Sequence, residues 1–167
     1  MDLVRLQPST FTSETAPLDS APVWAVASDP LLLPPLSSEL QEVRILGDGP
    51  VTLGTRFHGD QLRGSRRWTT TSTVTAFEPC TFFEWTVGDL AQPVSRWSFL
   101  LDAHRHGTTL TQRVVLCGGP SPLTDFITEH PESADQAIHE RLDHLRQRMA
   151  VTVAGLLAIA GSAGDPV

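Results

Sequence analysis

At 167 residues, with 40% hydrophobic and 19% charged content, the chain has the size of one ordinary domain, and it can bury most of its apolar surface without disulfides or metal. A net charge of −7 and a pI near 5.2 oppose docking on a phosphate backbone, which takes clustered Lys and Arg, so nucleic acid is not expected as a partner. Met1 to Leu18 lacks a basic stretch followed by an apolar one and does not read as a secretion signal. Met149 to Ala160, the longest apolar run, is shorter than the roughly 20 residues that cross a bilayer.

A single domain over 1–167 is therefore expected, ordered from about 10 to 160, cytoplasmic and with no membrane partner. Cys80 and Cys117 have neither CxxC spacing nor a disulfide framework and are read as reduced structural thiols.

In chain order, Thr10 to Thr15 is a short strand, and Asp19 or Ser20 caps a helix through Val23, Trp24 and Val26 that stops before Asp29-Pro30. Leu31 to Leu36, with Pro34-Pro35, holds only a brief helical turn, because proline lacks the N–H and restricts its predecessor. Glu39 to Leu46 reads as a strand ending at the turn cluster Gly47-Asp48-Gly49-Pro50, and Thr55 to Leu62 as another. Arg63, Arg66 and Arg67 around Gly64-Ser65 are read as a solvated hairpin tip rather than an anion site.

The long strand Arg67 to Phe77 places Trp68, Thr70, Ser72, Val74 and Ala76 on one face and Thr69, Thr71, Thr73 and Thr75 on the other, the period-two pattern of a half-solvated pleat. Phe82 to Val87, Val94 to Ala103 and Thr108 to Cys117 follow with short connections, an antiparallel meander. Gly118 to Pro122 ends the sheet. Ser133 with Gln136 reads as a capping box that opens a helix from Ala134 to Ala160, about 40 Å long, stopped by a left-handed Gly161. Its apolar second half, Ala150 to Ala160, calls for enclosure by the sheet or by a second subunit, which keeps a homodimer in view.

The order of strand, two short helices, about six to seven curved antiparallel strands and a long C-terminal helix is an α+β helix-grip arrangement. Val23-Trp24-Ala25-Val26-Ala27-Ser28-Asp29-Pro30, Gly54-Thr55-Arg56-Phe57, Trp68 through Glu78-Pro79, Trp97-Ser98-Phe99 and Gly107-Thr108-Thr109-Leu110-Thr111 together resemble the START-like (SRPBCC, Bet v 1-like) superfamily, specifically its polyketide cyclase/dehydrase branch. The resemblance implies a cavity between sheet and helix that takes a hydrophobic small molecule. Relatives with aromatase/cyclase activity tend to use tyrosine and arginine in that cavity, and this chain has no tyrosine.

On the face that carries Trp68 and Trp97, the expected ligand wall is Phe57, Trp68, Val74, Phe83, Trp85, Trp97, Phe99, Leu110 and Val114, closed by Leu142, Leu145 and Met149 of the helix. Flat rings stack on such a wall. Ser72, Gln112, Gln61 and Thr70 are the candidate catalytic groups, neutral hydrogen-bonding side chains that orient carbonyl or enolate oxygens. The competing reading of these tryptophans, Trp24 among them, is plain core packing.

His58 and Asp60 point outward on this register, as do Arg56, Arg96, Arg113 and Glu84. His104 and His106 lack a third ligand, so no metal site and no cofactor is expected. Arg141, His144 and Arg148 flank the helix stripe, where one can lean over the cavity mouth. Three functional readings follow: a cyclase or dehydratase of secondary metabolism acting on a polyketide-like molecule, a non-catalytic carrier of a lipid or aromatic metabolite, and a dimeric interaction or stress-response module suggested by the apolar end of the last helix.

Overall fold

The computed structural model describes residues 2–163. Seven antiparallel strands, β1 (Ser9–Ala16), β2 (Leu40–Leu46), β3 (Arg56–Arg63), β4 (Arg66–Glu78), β5 (Phe82–Gly88), β6 (Pro93–His104) and β7 (Gly107–Leu116), form one sheet in the order β1-β7-β6-β5-β4-β3-β2. β2 to β7 form a meander of short connections. The first strand closes the far edge against the last, from Ser9 opposite Val115 to Ala16 opposite Thr108.

Helix α1 is Leu3–Leu6; α2 (Ser20–Ala27) and two 3-10 turns at Pro30–Leu32 and Pro34–Leu36 fill the connection from β1 to β2. The two turns are short because Pro30, Pro34 and Pro35 withhold the donors a longer helix needs. Helix α3 (Pro122–Glu129) and a turn at Pro131–Ser133 lead into α4 (Ala134–Ser162), the rod that the sheet grips. The helix-grip expectation is met, strand for strand.

Three local expectations are corrected. Thr75 is a bulge between the Val74–Trp85 and Ala76–Glu84 pairs, so Ala76 moves to the outer face and Phe77 turns inward opposite Phe83. The Thr75 hydroxyl donates to Glu84 Oε1 at 2.8 Å, which fixes the extra residue on the outside. Ser133 makes no side-chain cap. The capping box instead opens α3, where Ser121 Oγ accepts from Thr124 N and Thr124 Oγ1 accepts from Ser121 N. Finally, α4 runs through Gly161 to Ser162 and needs no left-handed stop.

Gly107 takes φ +125°, and a Cβ there would stand 2.0 Å from the Ala16 carbonyl oxygen, so only glycine lets β7 begin against the end of β1. The apolar second half of α4 is enclosed within the chain: Val153, Leu156, Leu157 and Ala160 pack with Val23, Val26 and Ala27 of α2 and with Phe57, Phe83 and Phe99 of the sheet. Its first half rests on Val114 and Leu116 of β7 through Leu145 and Met149, and on α1 and α3 through Ile138, Leu3 and Ile127. The backbone of α4 lies close to β1, β7 and α2 and stands further off from β3 to β6, a span that side chains must bridge.

Candidate functional site

The inner face of the sheet is the one the alternation identifies. Phe57, Gly59 and Gln61 of β3, Trp68, Thr70, Ser72 and Val74 of β4, Phe83 and Trp85 of β5, Trp97 and Phe99 of β6, and Leu110, Gln112 and Val114 of β7 share it by register. Burial along that face is uneven, and the unevenness places the site.

At the deep end the side chains are packed on every side. Phe99, Leu110 and Val114 keep no accessible surface, so not even a water-sized space adjoins them; Val74, Phe83 and Met149 are at 1%, and Phe57, Trp85 and Leu145 are nearly as closed. The rings fill the span themselves: Trp24 meets Phe77 edge-on at 5.2 Å, Phe83 and Phe99 each lie 5.7 Å from Trp85, and Trp85 stacks on Trp97 at 6.1 Å and 8°. The hollow expected there is occupied by protein.

Toward the first half of α4 the same face opens. Gln61, Trp68, Thr70, Trp97 and Leu142 are only half-buried. Trp97 bridges the main core to the Val114–Met149 cluster and donates through Nε1 to Ser95 Oγ at 3.0 Å, which holds its indole in place. Trp68 belongs to neither cluster; it stands opposite Gln61, with the Arg66 guanidinium 5.8 Å from its ring centre. Gln61 Nε2, Thr70 Oγ1 and Leu40 Cδ1 all crowd the bare Cα of Gly59, and Thr70 Oγ1 donates to the Gly59 carbonyl at 3.2 Å.

Two polar groups lie deeper. Ser72 is 2% exposed. Gln112, at 4%, is buried between Leu110 and Val114, and its Oε1 has no hydrogen-bond partner in the protein. An unpaired buried acceptor of this kind costs about 1–3 kcal/mol. No such group is needed for packing.

Across the open end, four basic side chains converge on one oxygen. Glu39 Oε1 lies 2.9 Å from Arg148 Nη1, 3.4 Å from His144 Nε2, 3.9 Å from Arg63 Nε and 4.0 Å from Arg141 Nη1. The Glu39 carbonyl accepts from Leu62 N, which ties it to the β3–β4 hairpin next to the Gln61–Trp68 pair. Arg148 also donates to Ser38 Oγ and stands 3.1 Å from His144 Nε2. That nitrogen cannot both accept from Arg148 and donate to Glu39, so the two contacts belong to different tautomers. Arg141 Nη1 is buried with no hydrogen-bond partner; burial pushes the guanidinium below its usual value, Glu39 opposes the shift, and Arg63 and Arg148 add to it.

Of the flanking residues, Arg141, His144 and Arg148 thus do face the opening. Glu39 was not singled out by sequence reasoning, since a Glu before a strand carries no signal of its own. Arg63 reaches toward the cluster from the hairpin tip, and like Arg66 and Arg67 it stays exposed.

The outward residues stay outward. Asp60 accepts from Arg44 and Thr69, Arg96 bonds Gln7, and Arg113 bonds Ser9. His104 and His106 sit on the exposed β6–β7 tip, tied to Thr109 and Arg105. Cys117 is buried, and burial pushes its thiol up against the lowering effect of Arg96. Two surface concavities lie elsewhere: about 370 Å³ bounded by Gly88, Asp89, Gln92 and Pro120, and about 330 Å³ on the outer face between Gln7, Glu84, Arg96 and Arg113. Among the described residues no helix is long and apolar enough to cross a membrane.

Residues 9–150 match the family described as polyketide cyclase / dehydrase and lipid transport. The chain belongs to that family. Its solved neighbours share the fold: an aromatase/cyclase, Zhui, from a Streptomyces species (12% identity, TM-score 0.63, covering 95% of this chain and 99% of that one) and a polyketide-cyclase-like protein of Corynebacterium glutamicum (24%, 0.53, 93% and 90%). Ara h 8.0201 is a third (16%, 0.56, 93% and 98%). No curated protein matches. The polyketide cyclase/dehydrase branch expected from the motifs is therefore the right one, and membership makes this a small-molecule-binding fold of the START-like type.

Proposed function

We propose that this protein seats a flat, hydrophobic, aromatic or polyketide-like molecule at the open end of the inner face and promotes its cyclisation or dehydration. The half-buried indoles of Trp68 and Trp97 carry the reading, with the buried Gln112 amide, whose oxygen has no protein partner, lying diagonally from Trp97 in the floor behind them. Trp68 and Trp97 supply ring faces, with Gln61, Thr70 and Leu142 at the rim. The deep residues, from Phe57 to Met149, set the floor on which those groups are held.

Ring closure in a poly-β-keto chain joins an acidic methylene carbon to a carbonyl carbon, and aromatisation then expels water. Holding the chain folded for that attack is worth roughly 7–11 kcal/mol at its upper range. The Gln112 amide N–H and the Ser72 hydroxyl would donate to the developing oxygen charge, Gln61 would donate to a carbonyl nearer solvent, and Thr70 would accept from a hydroxyl or enol of the guest. Thr70 already spends its proton on Gly59, so it serves as an acceptor.

The test is turnover of a poly-β-keto thioester, with product formed above the spontaneous rate. Ser72→Ala and Gln112→Leu are expected to slow that rate more than they weaken ligand binding; normal turnover by both would remove their assignment. The non-catalytic carrier is the second reading, favoured because the inner-face positions from Gln61 to Val114 carry no ionisable side chain. A co-purified guest recovered chemically unchanged, with no turnover of precursors, would establish it.

A further inference from the structure

The cation cluster at the open end holds more charge than its own carboxylate answers. Three guanidiniums, Arg63, Arg141 and Arg148, lie within 4.0 Å of one carboxylate, Glu39, and all of them address the same oxygen. If the cluster served only to pin α4 to the β2 edge, Arg148 would suffice, with its 2.9 Å contact to Glu39 and its bond to Ser38. Arg141 adds only a long 4.0 Å contact to that clamp, and its buried Nη1 is hydrogen-bonded to no acceptor. The side chain keeps some contact with solvent, but a buried guanidinium nitrogen without an acceptor is unfavourable unless something else supplies one.

The position of this unmet donor relative to the aromatic rim decides what the acceptor belongs to. Arg141 precedes Leu142, which packs in the cluster that Trp97 joins, while its guanidinium reaches toward Glu39. Glu39 in turn is bonded to Leu62, the neighbour of Gln61, which pairs with Trp68. An oxyanion head between Arg141 and Arg148 would have the Gln61–Trp68 pair on its sheet side and Leu142, with the indole of Trp97 beyond it, on its helix side. Glu39 already sets one carboxylate oxygen 2.9 Å from Arg148 and 4.0 Å from Arg141, so an anionic oxygen is accommodated between the two.

We propose that Arg141 and Arg148 form the head-group subsite for an aromatic carboxylic acid, whose rings lie against Trp68 and Trp97 and whose carboxylate competes with Glu39. This deepens the proposed ligand site and rests on it. The acid binds as its anion, with no covalent step.

The test titrates the protein with 2-naphthoic acid and, separately, with the uncharged 2-naphthamide at neutral pH, following tryptophan emission, in wild type, Arg141→Gln and Glu39→Gln. The wild type should bind the acid about tenfold more tightly than the amide, the range of one charge-assisted pair. Arg141→Gln should erase that preference and leave amide affinity unchanged, which also certifies that the variant is folded. Glu39→Gln, which removes the resident competitor, should tighten the acid alone. Equal affinities for acid and amide in the wild type, or an Arg141→Gln loss shared by both probes, overturns the head-group subsite while leaving the hydrophobic site intact. Binding of neither probe overturns both.

Discussion

The two ends of the inner face are built from similar residues and do opposite things. At the deep end Phe83, Phe99 and Leu110 meet the apolar second half of α4 and α2, and nothing is left accessible. Toward the open end Trp97 meets Leu142, Leu145 and Met149 of the otherwise charged first half of the same helix, Trp68 lies outside every core cluster, and both remain half-buried. An aromatic residue on the inner face is therefore sealed where the apolar half of the helix and α2 cover it, and stays accessible to a guest only beyond that cover. Identity alone does not separate the two roles; the partner across the gap does.

The largest effect should come from emptying the floor. Phe99→Ala, at a side chain with no accessible surface, is expected to lower unfolding free energy by about 3–5 kcal/mol in urea titrations. Trp68→Ala, at the rim and outside both core clusters, should cost about 1 kcal/mol or less yet weaken binding of naphthalene-type probes at least as much as any deep substitution that still folds. Comparable stability losses for the two would erase the distinction between floor and rim.

Gln112 sharpens the contrast. As a core residue it is a flaw, so Gln112→Leu should leave stability unchanged or raise it by about 1–2 kcal/mol, since removing an unpaired buried acceptor relieves its desolvation penalty. As a ligand contact it is useful, so the same variant should lose turnover or affinity. A destabilised Gln112→Leu protein with unchanged ligand behaviour would return the residue to the core.

Much of this was legible in the chain because period-two alternation reports which side of a pleat faces the core, and Trp68, Ser72, Trp97, Phe99 and Gln112 all fall on the expected face. It failed beyond Thr75, where one bulged residue in an all-threonine background shifts the phase with no compositional mark. Helix α3 escaped notice because Gly118 to Pro122 reads as loop; its signal was Ser121 followed by a proline and Thr124, a cap with threonine in place of the usual Glu or Gln. The hollow was overestimated for a different reason. Alternation shows that rings point inward but not whether they meet each other or a guest, as Trp85 and Trp97 do by stacking. Glu39 became visible only when α4 brought Arg141, His144 and Arg148 across to it from a hundred residues away.

The smallest expected effect concerns the outer side of the sheet, away from the proposed site. Burial keeps the Cys117 thiol protonated in the folded chain at a pH where the unfolded thiol ionises, so the folded state holds more protons and stability falls as pH rises past the ordinary thiol range near 8.5. Cys117→Ala should flatten that slope in denaturation curves from pH 8 to 10 and leave probe binding at the rim untouched.

Amide chemical-shift mapping with 2-naphthoic acid tests the central claim most directly. The account places the perturbed amides on residues 61–72, 95–97 and 141–149, around Trp68, Trp97 and Arg141. Perturbations gathered instead on the Gly88–Gln92 concavity, or on the outer face around Arg96 and Arg113, would contradict it.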